Sequence, residues 1–354
     1  MAKISVKNLS KVFGFGAKHA LKQYKEGKPR KEILNDTGNA VALFDVSLDV
    51  QQGEILVVMG LSGSGKSTFV RCLNRLIDPT AGSIHVDGTD ITALSTRELR
   101  ELRQKNFGMV FQDFALLPHR SVLENTVFGL EIMGVAKAVR HKKGMEALAL
   151  VGLGGWENSF PHQLSGGMRQ RVGLARALAI DPPVLLMDEA FSALDPLIRR
   201  DMQDALLGLQ SELRKTIVFI THDLGVVANV ADRVAVLYAG QIVEVGTTEE
   251  VFYDPRHPYT WALLSSLPQL AQRDTELFSI TGTPPSLYNK IAGDPFAPRN
   301  PYCLKIDVVK APPMFKITET HYAKTWLLDP RAPKIDKPAA IDNIHDKMIK
   351  AFNI

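Results

Sequence analysis

The 354-residue sequence lacks the features that mark secreted, membrane-spanning and strongly basic proteins. Its two cysteines, Cys72 and Cys303, are too few for a disulfide framework and indicate a reducing compartment. No apolar run approaches the length of a transmembrane helix, and residues 1–10 hold no signal-peptide core. The net charge of +4 argues against nucleic acid as the main partner. If the protein works at a membrane, these absences predict a peripheral subunit on the cytoplasmic side.

A glycine-rich stretch, Gly60–Thr68, matches the phosphate-binding pattern G-x-x-x-x-G-K-[ST] at every fixed position. The apolar run 54–59 predicts a buried strand before it, and helical spacing over 68–77 predicts a helix after it. A turn without a ligand would need one or two glycines, but not Lys66 and Ser67 at fixed offsets. We therefore expect Lys66 to reach the β- and γ-phosphates of a nucleotide and Ser67 to bind Mg²⁺. The predicted phosphate-loop contacts are Gly60, Ser62, Gly63, Ser64, Gly65, Lys66, Ser67 and Thr68.

Strands alternate with helices along the first 250 residues, which predicts an α/β fold with a parallel sheet covered on both faces. Residues 17–35 predict two helical segments broken at Gly27 and Pro29, with their basic side chains on a solvated face. The strands predicted from apolar runs or from alternation lie at 3–9, 42–50, 54–59, 83–86, 107–111, 184–187, 216–220, 234–237 and 241–245.

The composition changes at about residue 254, beyond which prolines are frequent. Because prolines block long regular elements, residues 254–354 are predicted to form a separate, irregular region, and residues 1–253 the main domain. The aromatic and leucine side chains of this region favour packing against the sheet edge of the main domain or against a second copy of the chain. We expect an accessory role, since every phosphate-facing motif precedes residue 223.

Polar residues end three of the predicted strands, where they are placed to act on the nucleotide. Asp188 is predicted to hold the Mg²⁺ shell, and Glu189 beside it to polarise water. Gln112 is predicted to sense the metal or the water, and His222 to contact the γ-phosphate.

A second phosphate-binding device lies about a hundred residues after the first. Ser165 offers an N-cap hydroxyl, and Gly166 and Gly167 open a helix. Two such devices are difficult to reconcile with one nucleotide and one monomer. The simplest arrangement is a two-fold dimer, with each nucleotide between the loop of one chain and the Ser-Gly-Gly element of the other.

These motifs, in this order and spacing, resemble those of the ATP-binding-cassette (ABC) ATPases over about residues 1–250. The corresponding motifs are Walker A at Gly60–Thr68, the Q-loop at Gln112, the signature at Leu164–Gln170, Walker B at Val184–Asp188 with its catalytic Glu189, the D-loop at Ser192–Asp195 and the switch histidine at His222. The resemblance implies a RecA-like parallel core, an antiparallel β subdomain and a helical subdomain at about 113–175.

The resemblance also implies a set of ligands and the residues that hold them. The cofactors are ATP and Mg²⁺, with catalysis by Glu189, His222 and Gln112. The implied metal contacts are Ser67, Gln112 and Asp188, and Asp195 joins Ser165, Gly166 and Gly167 at the ATP. Phe13 matches the position that stacks on adenine, with Phe15 as the alternative; for either aromatic a core-filling role is equally open.

The subfamily resemblance divides near residue 222. Residues 1–222 resemble the ATPases of glycine betaine/proline importers, on the segments 17–39, 59–63, 73–76, 166–173 and 187–199. Residues 221–354 resemble oligopeptide-importer ATPases, on the segments 221–228, 254–261, 282–287 and 325–330. The segment between Gln112 and the signature is expected to read the membrane partner, and it belongs to the first part. This favours quaternary amines as the solute class, with oligopeptides as the alternative.

As a whole, the resemblance implies the energy-coupling ATPase of an importer at the cytoplasmic face of the membrane. Its partners would be membrane-spanning permease subunits, a substrate-binding protein and a second ATPase, in a homodimer or heterodimer. A non-transport ABC ATPase that acts on nucleic acid or ribosomes usually carries two cassettes or a long coiled-coil insertion, and this chain has neither. A nucleotide-gated module without hydrolysis is disfavoured by the intact Glu189 and His222. The solute stays open, because its site lies on other subunits.

Overall fold

The computed structural model describes residues 2–191, 196–221, 223–266 and 293–338, together with 341 and 344. Its strands are β1 (Ala2–Phe13), β2 (Ala40–Gln51), β3 (Ile55–Met59), β4 (Ala81–Val86), β5 (Thr89–Asp90), β6 (Phe107–Val110), β7 (Val184–Asp188), β8 (Thr216–Ile220), β9 (Arg233–Tyr238), β10 (Gln241–Thr247), β11 (Phe315–Lys316) and β12 (Tyr322–Ala323). The predicted strands are all present, with bounds that differ by a few residues.

These strands form two sheets. An antiparallel sheet of four strands has the order β2-β1-β4-β5, and a mixed sheet of eight has the order β11-β12-β10-β9-β3-β8-β7-β6. Within the larger sheet, β9, β3, β8, β7 and β6 are parallel, and β10, β12 and β11 continue it with antiparallel pairs. The predicted parallel core and the hairpin of β9 and β10 are therefore confirmed.

The central strand β3 shows why its sequence is apolar without alternation. Ile55, Val57 and Met59 pack into the hydrophobic core on one face of the sheet. Leu56 and Val58 pack into a second core on the other face. All five side chains are buried, because helices or the antiparallel sheet cover both faces.

The helices fill the connections between the strands and surround the larger sheet. Several begin with a Ser or Thr that caps the first turn and a Glu three residues later that returns the bond, as Ser95 and Glu98 do. The helices are α1 (Ala17–Lys25), α2 (Arg30–Thr37), α3 (Lys66–Leu73), α4 (Thr96–Asn106), α5 (Val122–Thr126), α6 (Phe128–Ile132), α7 (Lys137–Leu150), α8 (Gly166–Ala179), α9 (Pro196–Leu213), α10 (Leu224–Val230), α11 (Thr248–Tyr253), α12 (Pro258–Ser265) and α13 (Lys305–Val309). No helix among the described residues is long and apolar enough to cross a bilayer.

Residues 17–35, here called the basic insert, form α1 and the first part of α2, on either side of the predicted break at Gly27 and Pro29. Ala20, Leu21 and Ile33 are buried in a small core of their own, with partners from β1 and β2. Most of the basic side chains are exposed, as predicted, but Arg30 is 1% exposed and lies over the ring of Tyr24 at 5.0 Å. The prediction of a fully solvated basic face is therefore wrong at Arg30, where the apolar stem is buried and the guanidinium stacks on an aromatic ring.

The C-terminal region is built into the main sheet. β12 pairs with β10, where Glu244 faces Ala323, and β11 pairs with β12 in turn. Trp261, Leu264 and Phe296 are buried in the same core as β3. This confirms the prediction that the region packs on the sheet edge of the main domain, while the domain boundary at residue 253 stays a prediction.

Candidate functional site

The phosphate loop connects β3 to α3 at the carboxyl edge of the parallel sheet, where ligand sites of such sheets usually lie. Gly60 has φ +146°, and a Cβ there would lie 2.1 Å from the carbonyl oxygen of Leu237 on β9. Gly65 has φ +105° and caps the start of α3. Both positions thus require glycine. α3 begins at Lys66 and ends at Leu73, earlier at both ends than the predicted 68–77; the start is earlier because the loop turns directly into the helix.

The tip and the start of the helix complete the loop. Ser62 and Gly63 are exposed, and Gly63 has φ +76° with open space where a Cβ would stand. Ser64 is buried, and its carbonyl accepts a hydrogen bond of 2.8 Å from the Gly240 N–H in the β9–β10 turn. Thr68 is half-buried in the first turn of α3. The exposed tip and the N–H groups of this first turn are suited to a phosphate chain.

Lys66 is a buried cation at the mouth of this loop. Its side chain is 4% exposed, and Nζ donates to the carbonyl oxygens of Gly60 at 2.8 Å and Leu61 at 3.0 Å. Burial lowers the pKa of Lys66 to about 8, while the carboxylates of Glu189 and Asp188 act in the opposite direction. The two carbonyl oxygens carry only partial negative charge. A phosphate chain bound in the loop would supply full negative charges to balance the Lys66 ammonium group.

Ser67 and Asp188 bring two oxygen ligands together. The Ser67 hydroxyl donates to Asp188 Oδ1 at 2.8 Å, across 121 residues of sequence. Arg71 binds the other carboxylate oxygen, with Nε at 3.1 Å and Nη2 at 2.9 Å from Oδ2. Asp188 is fully buried at the end of β7, so its orientation is fixed. A hydroxyl and a carboxylate are hard oxygen donors, which fit Mg²⁺.

Glu189 and Gln112 meet at the ends of β7 and β6. Gln112 Nε2 donates to Glu189 Oε2 at 2.8 Å. Glu189 has φ +50°, a backbone conformation that is uncommon for residues other than glycine and is often found at functional sites. The structure thus brings these two predicted site residues into contact. The role of Gln112 at the metal stays a prediction, because here its amide orients Glu189.

The signature element begins α8. Ser165 is its N-cap, and the hydroxyl accepts from the Met168 N–H at 3.3 Å, with Gly166 and Gly167 in the first turn. The same helix holds the segment that follows Gln112: the guanidinium of Arg176 donates to the carbonyl oxygens of Phe114 at 3.1 Å and Ala115 at 2.5 Å. Hydrogen bonds from Arg176 thus connect the signature helix α8 to the segment directly after Gln112.

Neither candidate adenine-stacking aromatic fills the core. Phe13 is 40% exposed at the end of β1, with Lys11 Nζ over its ring at 4.8 Å, and Phe15 is 99% exposed. The core-filling alternative is therefore wrong for both. Their exposure leaves a ring face available for stacking, which stays a prediction for Phe13. Two further predicted site residues, His222 and Asp195, lie outside the described residues.

Two contacts at this site were not predicted from the sequence. Arg71 orients Asp188, and it stands four residues after Ser67 on α3, so the i, i+4 spacing is a signal that would have found it. Tyr259, on α12, accepts a hydrogen bond of 2.9 Å from the Leu61 N–H. No local sequence pattern predicts this second contact, because the two residues are 198 positions apart.

Comparison with known proteins gives matches over both parts of the chain. The family model of the ABC transporter matches residues 43–192, and that of the oligopeptide/dipeptide transporter C-terminal region matches residues 243–306. The chain is 56% identical to the glycine betaine transport ATP-binding protein OpuAA of Bacillus subtilis, over 73% of this chain and 62% of that protein. It is 49% identical to the glycine betaine/proline betaine transport system ATP-binding protein ProV of Escherichia coli, over 84% of this chain and 74% of that protein.

An oligopeptide relative matches over a larger share of its own length. The oligopeptide transport ATP-binding protein AmiE of Streptococcus pneumoniae is 47% identical over 87% of this chain and 90% of that protein. By contrast, the chain spans 62% and 64% of the length of two glycine betaine relatives, those of Bacillus subtilis and Salmonella typhimurium. The predicted resemblance to both kinds of importer ATPase is thereby confirmed.

Solved structures agree with the predicted fold. The ATP-binding cassette MJ0796, in a dimeric post-hydrolysis state bound to ADP and Pi, superimposes with a TM-score of 0.60 at 32% identity, over 69% of this chain and 98% of that one. CbiO1 of Clostridium perfringens, part of an ABC transporter complex, gives 0.59 at 28% identity, over 72% of this chain and 91% of that one. The described cassette therefore has the fold of these proteins.

Proposed function

The chain belongs to the ATP-binding proteins of ABC transporters, and from this premise we propose that it hydrolyses ATP to drive an importer. The observation that carries the proposal is that three motifs, the phosphate loop, Walker B and the Q-loop, meet at one sheet edge. The phosphate loop, the Ser67–Asp188 pair and the Gln112–Glu189 pair are all formed there, although their members are far apart in sequence.

Each side chain then has a task in phosphoryl transfer to water. Lys66 would exchange the carbonyls of Gly60 and Leu61 for the phosphate oxygens, which keeps its charge in a buried place. Ser67 and Asp188 would hold Mg²⁺, which neutralises charge on the phosphates when bound. Glu189 would orient the attacking water and accept its proton, with Gln112 fixing the carboxylate. If the water attacks in line with the leaving group, the contribution of these side chains would be largely positioning and charge stabilisation.

The working unit proposed is a dimer with ATP in the interface. Ser165 already caps α8, and the first-turn N–H groups behind it point out of the helix as an anion site. In the dimer, this element would face the phosphate loop of the partner subunit. The dimeric state of the MJ0796 cassette supports this arrangement, and either a homodimer or a heterodimer satisfies it.

For the transported solute we propose quaternary amines of the glycine betaine/proline type. The relatives named for that transport are 49–56% identical, and the match includes the helical segment after Gln112 that is expected to contact the permease. Oligopeptides are the second candidate, favoured by the C-terminal match at residues 243–306. In both cases the partners are membrane permease subunits and a substrate-binding protein, and the chain acts from the cytoplasmic face.

The test is the substitution Glu189→Gln. The amide cannot accept the proton of the attacking water, so we expect ATP turnover to fall at least ~100-fold while ATP still binds. With ATP and Mg²⁺ the variant should elute as a dimer in size-exclusion chromatography. Glu101→Gln, on the exposed face of α4, is the matched control and should behave as the wild type.

Two outcomes would contradict the proposal. Undiminished hydrolysis by the Glu189→Gln protein would remove Glu189 from the reaction. A monomeric elution profile in ATP and Mg²⁺ would count against the shared site.

Adding Ser165→Ala to Glu189→Gln should abolish the dimer without abolishing ATP binding, because Ser165 acts on the nucleotide of the partner subunit.

A further inference from the structure

Among the described residues of the C-terminal region, Tyr259 contacts the phosphate loop through its buried hydroxyl. Tyr259 Oη accepts a hydrogen bond of 2.9 Å from the Leu61 N–H, the first peptide after Gly60. Tyr259 is fully buried, so water has no access to replace this bond. A backbone donor that loses its partner in such a place costs free energy of the order of a hydrogen bond.

The position of this hydroxyl is determined by a chain of hydrogen bonds from β10. Glu244, which is fully buried, accepts from the backbone N–H of Arg256 at 2.7 Å and of His257 at 3.0 Å. His257 Nδ1 in turn accepts from the Tyr259 N–H at 2.9 Å and caps α12. His321, in the segment that leads into β12, donates its Nε2–H to Glu244 Oε1 at 2.8 Å. The start of α12 is thereby anchored to the sheet edge that β12 extends.

The ring of Tyr259 is held equally firmly. It packs against Tyr238 of β9, with centroids 4.4 Å apart, and edge-on against Phe296 at 5.4 Å. Burial raises the pKa of Tyr259, so the hydroxyl remains protonated throughout the physiological range. The acceptor that Leu61 meets is therefore neutral and fixed in place.

The peptide of Leu61 connects this hydroxyl to the cation of the site. Its N–H is bound by Tyr259, and its carbonyl oxygen accepts from Lys66 Nζ at 3.0 Å. The adjacent Gly60 carbonyl accepts from the same Nζ at 2.8 Å. A change in the Leu61 peptide orientation would move both carbonyls and, with them, the loop that is shaped for phosphate.

We propose that Tyr259 is a positioning residue for ATP: the C-terminal region holds the phosphate loop in its binding conformation through the Leu61 peptide. The inference rests on the proposed function, since it concerns the same nucleotide. It gives the region a task inside the ATPase site, in place of the accessory role expected from the sequence. Because its hydroxyl binds the Leu61 peptide, while the Ser67–Asp188 and Gln112–Glu189 hydrogen bonds are made between other side chains, Tyr259 acts on nucleotide affinity and leaves the chemical step unchanged.

The experiment compares Tyr259→Phe with Tyr238→Phe in the full chain. Both remove one hydroxyl from the same aromatic cluster, but the Tyr238 hydroxyl accepts from Arg299 Nη1 at 3.4 Å, whereas the Tyr259 hydroxyl accepts from the Leu61 N–H. We expect Tyr259→Phe to raise the Kd for MgATP and the KM of hydrolysis ~3- to 10-fold with kcat within twofold. Tyr238→Phe should leave all three within twofold.

A second measurement needs no nucleotide. Amide hydrogen exchange of the peptide that covers residues 60–66 should be faster in Tyr259→Phe than in the wild type and in Tyr238→Phe. Equal exchange and equal KM in the two variants would overturn the proposal, as would a fall in kcat at constant KM. A wild-type protein that neither binds nor hydrolyses ATP would instead overturn the proposed function, whatever the exchange data show.

Discussion

At the scale of the residue, the site shows local motifs completed by distant partners. Lys66, Ser67 and the glycines follow from the loop pattern, and Asp188 and Glu189 from the end of an apolar strand. Their contacts depend on the sheet: Ser67 meets Asp188 because β3 and β7 both end at the same edge, with β8 between them. The motifs predict which residues belong to the site. The order of the strands in the sheet determines which of these residues are in contact.

Lys66 leads to a prediction about pH. Burial lowers its pKa to about 8 in the nucleotide-free protein, and bound phosphates favour its charged form. ATP binding therefore takes up a proton above pH 8, and the affinity falls as pH rises through 8. We expect the Kd for MgATP to rise about tenfold between pH 7 and pH 9, as measured by titration calorimetry in two buffers of different ionisation enthalpy.

The control for this pH dependence is Lys66→Arg. An arginine stays charged through pH 9, so its affinity, although weaker, should show no step between pH 7 and pH 9. The same decline in both proteins would assign the effect to another group. A flat wild-type profile without proton uptake would show that Lys66 is already fully charged over this range without nucleotide.

At the scale of the element, strongly patterned segments were predictable and short ones were not. The break between α1 and α2 follows from Gly27 and Pro29, and the β9–β10 hairpin from two apolar runs around a turn. β11 and β12 have two residues each, too few for alternation to be visible. They form because Tyr322 and Ala323 pair with the edge of β10. This pairing depends on the folded sheet and cannot be read from the local sequence.

The segment that leads into α13 contains a buried acid with a testable consequence. Asp294 is 2% exposed; its Oδ1 accepts from the Phe296 N–H at 2.9 Å, and its Oδ2 has no partner among the described residues. Burial, with a smaller effect from the Asp307 carboxylate, raises the pKa of Asp294 to about 7, against a nearby Lys324 that lowers it. The folded state therefore holds a proton that the unfolded state releases at about pH 4.

The sign of the effect follows from this difference in proton binding. The stability that protonated Asp294 contributes is complete below pH 4 and is lost as pH rises through 7. Asp294→Asn stays neutral, so we expect it to gain ~2 kcal/mol on the wild type between pH 5 and pH 8, measured by urea unfolding. His257, whose pKa burial lowers to about 3, changes stability in the opposite direction but is common to both proteins.

Asp336→Asn is the matched control for this experiment, because Asp336 is an exposed aspartate in the same C-terminal region. Its stability difference from the wild type should not change with pH. If the Asp294→Asn difference is also constant between pH 5 and pH 8, Asp294 is ionised in the folded protein and a partner for its Oδ2 must exist.

At the scale of the whole molecule, two resemblances meet in one continuous structure. The betaine-like part supplies the phosphate loop, the proposed Mg²⁺ ligands Ser67 and Asp188, and the helical segment after Gln112, and the oligopeptide-like part supplies strands on the edge of the same sheet. Their packing is not that of a loosely attached appendage, since α12 is buried in the core that β3 also enters. Sequence resemblance revealed both parts, but only the folded structure shows that Tyr259 connects them.

The solute class depends on which part selects the membrane partner. If the helical segment at about 113–175 makes the contact, the chain should couple to a quaternary-amine-type permease. The measurement is reconstitution with each type of permease and its binding protein in vesicles, following ATP hydrolysis and uptake of glycine betaine and of a short peptide. We expect stimulation of hydrolysis at least several-fold with the first permease and uptake of glycine betaine.

The control is the variant Tyr259→Phe, which removes the hydrogen bond between the C-terminal region and the Leu61 peptide. Tyr259→Phe should raise the KM for ATP with either permease, because it acts on the nucleotide site, and should leave the choice of permease unchanged. Stimulation by the oligopeptide-type permease alone would instead assign partner selection to the residues after 222, and oligopeptides would become the proposed solute. Coupling to both would show that the contact surface tolerates two partners and that selectivity resides in the permease and its binding protein, where the solute itself is bound.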